Sequence, residues 1–178
     1  MNITFITGIV GSLVLVAGAG WPPERVKHPV FSVKNWLFAA GGAVMLAYAI
    51  LNYLAGGPIF FVFLEVMVAV ANILMMLNTD DRVDVPILAA SGLFFVVWSL
   101  KLFDSYGILI FIVGLSLLAI GYALDTGSFR RTLALTLGSL LMAIFSYISA
   151  SWIFFWLNVF FTIFSGYYAL LLAMKKHG

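Results

Sequence analysis

The sequence predicts an all-α integral membrane protein with seven transmembrane helices. Its 178 residues are 64% hydrophobic and only 9% charged, whereas an ordinary soluble domain carries roughly 25% charged residues. The apolar residues form seven runs separated by short breaks, and each run is close to the roughly 20 residues that cross the hydrocarbon core of a bilayer. Basic residues are concentrated in alternate breaks. These three observations predict the number of helices and their orientation.

The seven runs follow one another with little sequence left over. The first, residues 3–20, ends in small residues, so a cleaved signal peptide is an alternative, although no Lys or Arg precedes it. A loop with prolines and basic residues follows at residues 21–34. The other helices are predicted at residues 36–54, 58–77, 86–103, 107–124, 131–150 and 153–173. The tightest breaks, after the second and sixth helices, predict hairpins of antiparallel neighbours.

The basic residues predict the orientation of the chain in the membrane. With seven helices, the loops after helices one, three and five share one side with the C-terminus. That side holds all but one of the basic residues: Arg25, Lys27, Lys34, Arg82, Arg130, Arg131, Lys175 and Lys176. The other side holds Lys101. Because cytoplasmic loops carry the excess of Lys and Arg, we expect the N-terminus outside the cell and the C-terminus in the cytoplasm. The expected location is the inner (plasma) membrane.

Two pairs of similar segments indicate an internal repeat. Residues 9–18 (IVGSLVLVAG) are similar to residues 112–121 (IVGLSLLAIG), and residues 51–61 (LNYLAGGPIFF) are similar to residues 145–155 (FSYISASWIFF). Helices one to three therefore map onto helices five to seven in the same order, as in repeat-built transporters. Chance identity is the alternative, since the whole chain is rich in Leu, Ile, Val and Phe.

The repeat predicts how the chain is divided. We expect two parallel three-helix bundles, residues 1–78 and residues 105–178, joined by a linker helix within residues 79–104. One linking helix gives both bundles the same orientation in the membrane.

One carboxylate lies inside a predicted transmembrane helix. Glu65 interrupts the third apolar run, and Asn72 follows seven residues later on nearly the same helical face. An ionisable group in the bilayer costs on the order of 3 kcal/mol and usually serves a substrate or proton pathway. Burial without a neighbouring cation favours the protonated carboxyl. The alternative is a protonated Glu65 that only hydrogen-bonds a neighbouring helix.

Four further polar residues are candidates for the same site. With a one-residue slip in the repeat alignment, Asn158 and Ser165 correspond to the pair formed by Glu65 and Asn72. Tyr48 and Asn52 lie four residues apart on one face of the second helix. A polar edge beside aromatic rings suits a ligand that stacks and accepts hydrogen bonds. Interhelical hydrogen bonding is the alternative for these side chains.

The order of three helices, a linker helix and three helices, with the N-terminus outside, resembles the SWEET sugar transporters and their PQ-loop relatives. The plan is also similar to that of PnuC-type vitamin transporters. SWEET-like proteins bind substrate with an Asn in the third helix of each bundle, and Asn72 matches that position in the first half. Asn158 and Ser165 are the candidates in the second half. The resemblance implies a small polar solute that is moved by alternating access.

Several classes of site are missing from the sequence. There is no Cys, which excludes disulfides and thiolate nucleophiles. Both His residues, His28 and His177, lie in polar segments, so haem ligation inside the bilayer is not expected. The acidic segment of residues 80–84 lacks the glycine and the distal Glu of an EF-hand loop. We therefore expect no catalytic residue, no metal site and no cofactor, and hence no enzyme.

These arguments lead to one leading functional hypothesis. We expect a membrane transporter of a small polar or aromatic solute that works by alternating access, with Glu65 as the group that couples transport to protons or recognises a cation. Its expected partners are the solute and the lipid bilayer, without nucleic acid, and a homo-oligomer is left open. One alternative is a structural or regulatory membrane subunit whose polar residues join helices. A weaker alternative is an interfacial membrane enzyme.

Overall fold

The computed structural model describes residues 2–22, 24, 26–125 and 127–177, and within them the chain forms seven α-helices and one short 3-10 helix. The α-helices are α1 (Ile3–Gly20), α2 (Val33–Leu54), α3 (Phe60–Leu77), α4 (Asp81–Lys101), α5 (Tyr106–Ala123), α6 (Phe129–Ile148) and α7 (Trp152–His177). All seven are long and apolar enough to cross a membrane. The prediction of an all-α chain with seven such helices is confirmed.

Two helices begin three or more residues earlier than the sequence predicted. α2 begins at Val33 because Ser32 caps it, and the Ser32 hydroxyl accepts a hydrogen bond of 3.3 Å from the backbone N–H of Asn35. α4 begins at Asp81, so that Pro86 lies inside the helix and does not mark its start. The acidic side chains in the first turn of α4 interact favourably with the helix dipole there. Local capping therefore extends both helices beyond their apolar runs.

The loop between α1 and α2 is partly ordered. It contains the 3-10 helix at Pro29–Phe31, which also packs against α3. The indole N–H of Trp36 donates to the carbonyl oxygen of Val30 over 2.8 Å. Pro23 and Arg25, which the sequence analysis assigned to this loop, lie outside the described residues. The predicted loop thus becomes a short folded segment at one end of the first three helices.

The helices group into two units, with α1 to α3 in the first and α4 to α7 in the second. In the first unit α2 packs against both α1 and α3. In the second unit α6 packs against both α5 and α7, and α4 packs against α5. The helix predicted as a linker is therefore part of the second unit's packing, although the division of the chain at residues 78 and 105 stays a prediction.

A close approach of two helices recurs in each unit and depends on glycine. A Cβ atom added to Gly41 in α2 would lie 3.0 Å from the backbone nitrogen of Leu15 in α1. A Cβ atom added to Gly138 in α6 would lie 3.0 Å from the backbone nitrogen of Leu118 in α5. Such small residues let two backbones approach closely in a membrane. We call this pairing the glycine–leucine contact.

A basic side chain joins the same helices at one end. Lys34 Nζ, in the first turn of α2, donates to the carbonyl oxygen of Trp21 at the end of α1 over 3.0 Å. Arg131 Nη1, in the first turn of α6, donates to the carbonyl oxygen of Leu124 at the end of α5 over 3.0 Å. Each cation satisfies a carbonyl group that the preceding helix leaves unpaired. We call this interaction the cation–carbonyl bond.

Candidate functional site

Glu65 is a buried carboxyl group near the N-terminal end of α3. The residue is 3% exposed. Its Oε2 is the one buried side-chain oxygen or nitrogen without a hydrogen-bond partner in the described part of the chain. Nearly all buried polar groups in proteins have a partner, and leaving one without a partner costs about 1–3 kcal/mol. This oxygen is therefore the place where the first unit has unused capacity to hold a proton or to accept a hydrogen bond from a ligand.

Asn72 lies on the same helix and is engaged with the neighbouring helix. Its Nδ2 donates to the backbone carbonyl oxygen of Phe38 in α2 over 3.1 Å. Gly42 makes room for this amide, because a Cβ atom there would lie 2.7 Å from Nδ2. The structure thus places Asn72, which the sequence analysis proposed as a substrate ligand, in a hydrogen bond that fixes the register between α2 and α3.

The contact between Gly42 and Asn72 also shows which part of α2 lies at the height of Glu65. α2 and α3 are antiparallel neighbours, so a step of seven residues toward the N-terminus of α3 runs beside a step of seven residues toward the C-terminus of α2. On α3 this step of about 10 Å leads from Asn72 to Glu65, and on α2 an equal step starts at Gly42. That step leads to Ala49, which is 0% exposed, next to the buried Tyr48. The residue of α2 opposite Glu65 in this register is therefore Ala49, whose methyl group offers the carboxyl no hydrogen bond.

Aromatic residues lie within about one helical turn of this height. Phe61 precedes Glu65 by four residues, hence on the same face of α3, and it is 0% exposed. Tyr48 is 6% exposed and lies beside Ala49 in α2. The carboxyl of Glu65 is thus held at a depth where α3 and α2 contribute rings and aliphatic groups.

Asn52 lies three residues beyond Ala49, about 4.5 Å nearer the hairpin. It is half-buried in the last turn of α2, and its amide nitrogen lies directly against Gly57 in the hairpin, so that a Cβ atom on Gly57 would collide with it. Of the two candidates on α2, the structure brings Tyr48 to the height of Glu65 and places Asn52 at the hairpin.

The two candidates in the second unit donate hydrogen bonds within their own helix. Asn158 is 6% exposed, and its Nδ2 donates to the carbonyl oxygen of Phe154 over 2.8 Å. Ser165 is half-buried, and its hydroxyl donates to the carbonyl oxygen of Phe161 over 2.6 Å. In both cases the acceptor lies four residues earlier, which is a common arrangement for short polar side chains in helices. The donor groups of this pair are therefore used by the backbone of α7.

Sequence reasoning missed Ala49 and Phe61, since apolar residues in an apolar run carry no chemical signal. The sequence spacing could have identified Ala49, because Gly42 and Ala49 are separated by the same number of residues as Glu65 and Asn72. Among the described residues, no three or more His, Cys, Asp or Glu side chains form a group that could hold a metal ion. The arrangement around Glu65 can bind a proton or a single cationic group.

No family model matches the chain, and no match was found among the curated proteins or the solved structures. The fold by itself defines the class. The chain is a multi-pass α-helical membrane protein, and its described residues contain seven candidate spans.

Proposed function

We propose that this protein transports a small polar or aromatic solute across the membrane by alternating access, with Glu65 as the group that takes up and releases the coupling proton. The observation that carries the proposal is the buried Oε2 of Glu65 without a hydrogen-bond partner among the described residues. Ionisable groups inside a membrane are costly and mark proton and substrate pathways. A residue that served only to join helices would have its polar atoms satisfied by a neighbour, as the amide nitrogen of Asn72 is.

We also propose that α1 to α3 and α5 to α7 are two copies of one repeat. The glycine–leucine contact and the cation–carbonyl bond support this proposal because both occur in each unit. Their spacing also agrees: six residues separate the leucine from the carbonyl in α1 and in α5, and seven residues separate the cation from the glycine in α2 and in α6. Chance identities in an apolar sequence would not reproduce matched pairs of contacts.

The hairpins add further support. The backbone N–H of Gly57 donates to the carbonyl oxygen of Asn52 over 2.9 Å, and that of Ser151 donates to the carbonyl oxygen of Ser146 over 2.8 Å. This pattern agrees with the predicted correspondence of Asn52 with Ser146. When α2 and α6 are aligned instead by the glycine of the glycine–leucine contact, the fully buried Ser146 corresponds to the fully buried Ala49. α2 therefore has nearly one more turn than α6 between this buried face and its hairpin.

The two copies differ in chemistry at two corresponding positions. On the third helix of each repeat a buried Phe and a buried Leu precede either Glu65 or Asn158. The corresponding residues on the middle helix are Ala49 and Ser146. The first copy thus combines a carboxyl with a methyl group, whereas the second combines an amide with a hydroxyl. This difference supports a role for the first copy in handling the proton.

We expect Glu65→Gln to fold and to lose coupling to protons. The amide keeps the shape and hydrogen-bonding ability of the carboxyl but does not titrate. Infrared difference spectra between acidic and alkaline pH should contain the C=O band of a buried carboxylic acid, and Glu65→Gln should remove it. In vesicles, a solute identified by thermal stabilisation of the native state should be taken up by this variant without the pH dependence of the wild type.

Asp104→Asn is the matched control, because it makes the same chemical change at an exposed loop position. It should keep both the infrared band and the pH dependence of uptake. A band that persists in Glu65→Gln, or uptake with unchanged pH dependence in that variant, would rule out Glu65 as the coupling group.

We propose an orientation with the N-terminus outside and the C-terminus in the cytoplasm, in the plasma membrane. The support is the concentration of basic residues in alternate loops. A reporter that fluoresces only in the cytoplasm should be active when fused after Met174, and an enzyme that is active only outside should be silent there. The same two reporters inserted at Asp104 should give the reverse pattern. If the patterns are exchanged, the charge argument is wrong.

A structural or regulatory subunit is the second candidate function. It is favoured by the hydrogen bonds of Asn72, Asn158 and Ser165, which all end on backbone carbonyl groups of the protein. The two candidates differ in what they require of Glu65, since only a transporter needs a carboxyl that is left without a partner.

A further inference from the structure

We propose that the ligand of Glu65 is a small organic ammonium ion, which binds to the carboxylate in exchange for the proton. This inference rests on the proposed function and adds the class of substrate. It starts from the buried Oε2 that has no partner among the described residues, and it asks which ligand the residues at that height would recognise.

The first step concerns charge. The elements that pack against α3 are α2 and the 3-10 helix at Pro29–Phe31, and the latter contains no ionisable side chain. On α2 the ionisable residues are Lys34, Tyr48 and Tyr53. Lys34 lies in the first turn and donates to Trp21, about 22 Å along the helix from Ala49, and Tyr53 lies beyond Ala49 toward the hairpin. In the described part of the first unit, neither α2 nor the 3-10 helix therefore offers a cation at the height of Glu65, so an ionised carboxylate needs one from outside this unit.

The second step concerns the type of cation. Divalent metal ions such as Ca²⁺ and Mg²⁺ require about six or more oxygen ligands. Among the buried residues within about one turn of Glu65 in α3 and of Ala49 in α2, the polar groups are the carboxyl of Glu65 and the phenol of Tyr48, and the others, Phe61 among them, are apolar. A single carboxylate with aromatic rings instead suits an organic ammonium ion, because the carboxylate accepts its N–H groups and a ring face attracts its charge.

The third step concerns why the site would favour a cation over a sugar. A sugar presents many hydroxyl groups, and each needs a polar partner when it is removed from water. Ala49, with its methyl group, stands where the second repeat has the hydroxyl of Ser146. The first repeat therefore removes hydrogen-bonding capacity at this height and keeps one negative charge, which favours a compact cation over a polyhydroxylated solute.

The exchange is balanced in protons and charge. Before binding, Glu65 is a neutral carboxylic acid. When the ammonium ion binds, the carboxyl proton leaves to water and the carboxylate forms an ion pair with the ligand, so the site stays neutral. No covalent bond other than the O–H bond of the carboxyl group breaks. One ammonium ion is thus exchanged for one proton.

The experiment uses the purified full chain in detergent with methylammonium and benzylammonium chloride as probes. Benzyl alcohol is the neutral counterpart of benzylammonium, and sodium chloride controls for ionic strength. At least one ammonium probe should raise the melting temperature and release up to about one proton for each ligand bound, as followed with a pH indicator in weak buffer. Benzyl alcohol and sodium chloride should do neither.

Variants connect the response to the site. Glu65→Gln should weaken the binding of the ammonium probe by about tenfold or more, or about 1.4 kcal/mol or more, because the amide cannot form the charged hydrogen bond, and it should release no proton. Asp104→Asn should respond like the wild type. If Glu65→Gln does not fold, the proton release of the wild type still carries the test.

The outcomes separate this inference from the proposed function. If benzyl alcohol stabilises the protein as well as benzylammonium does, or if neither ammonium probe binds with release of a proton, the ammonium ligand is wrong. The proposed function is unaffected by that result as long as the infrared band of Glu65 is present. If that band is absent while an ammonium probe binds, Glu65 is a cation site and proton coupling is wrong.

Discussion

Replacing Glu65 by methionine is expected to make the protein more stable while it abolishes the response to protons. The change removes the oxygen that is buried without a hydrogen-bond partner among the described residues, and a methionine side chain fills a similar volume. The free energy of unfolding should rise by about 1–3 kcal/mol, which is the cost of an unsatisfied buried polar group. Thermal melting in detergent, followed by circular dichroism, would measure the change.

Asn72→Leu is the matched comparison on the same helix. It removes the 3.1 Å hydrogen bond to the carbonyl oxygen of Phe38, and the free energy of unfolding should fall by about 0.5–1.5 kcal/mol. Opposite signs for the two variants would show that one polar residue of α3 is kept for function and the other for stability. A lower melting temperature for Glu65→Met would instead favour the structural subunit.

Adding one methyl group to Gly41 or to Gly138 is expected to destabilise the protein by about 1–3 kcal/mol. In each case the new Cβ atom would lie 3.0 Å from a backbone nitrogen of the facing helix. A backbone atom cannot rotate away as the end of a flexible side chain can, so α1 and α2, or α5 and α6, would have to move apart. Melting curves of Gly41→Ala and Gly138→Ala should show similar losses, because the two contacts have the same geometry.

Gly166→Ala is the control for these two variants. Its new Cβ atom would lie 3.5 Å from the Thr136 side chain, which is an ordinary van der Waals contact. Because alanine favours a helix over glycine by up to about 1 kcal/mol, this variant should melt at or above the wild-type temperature. Wild-type melting of Gly41→Ala would show that α1 and α2 are not packed as described.

The number of helices could be predicted because each apolar run has the length of a membrane span and ends in a recognisable break. The exact starts of α2 and α4 could not be predicted from hydropathy. The start of α2 depends on a hydrogen bond that the Ser32 hydroxyl accepts from the backbone N–H of Asn35, and α4 includes a turn before Pro86. Helix ends are set by individual side chains, whereas helix positions are set by the apolar content of some twenty residues.

Only part of the candidate site could be predicted from the sequence. Glu65 could be identified because a carboxylate in an apolar run is expensive and rare. The partner of Asn72 could not be foreseen, because it is a backbone carbonyl group that any residue type would supply. Ala49 and Phe61 could not be distinguished from other apolar residues until the contact of Gly42 with Asn72 fixed the register of the two helices.

The place of Glu65 along α3 also has an electrical consequence. It lies five residues from the first residue of this 18-residue helix, or about 7.5 Å along a length of about 27 Å. A charge bound there crosses a little over a quarter of the membrane potential on its way in from the N-terminal end of α3. At about 2.3 kcal/mol per elementary charge for 100 mV, an inside-negative voltage of that size would favour the binding of an external proton to the Glu65 carboxylate about threefold in the proposed orientation. The exchange of one ammonium ion for one proton would move no net charge and would not respond to the voltage.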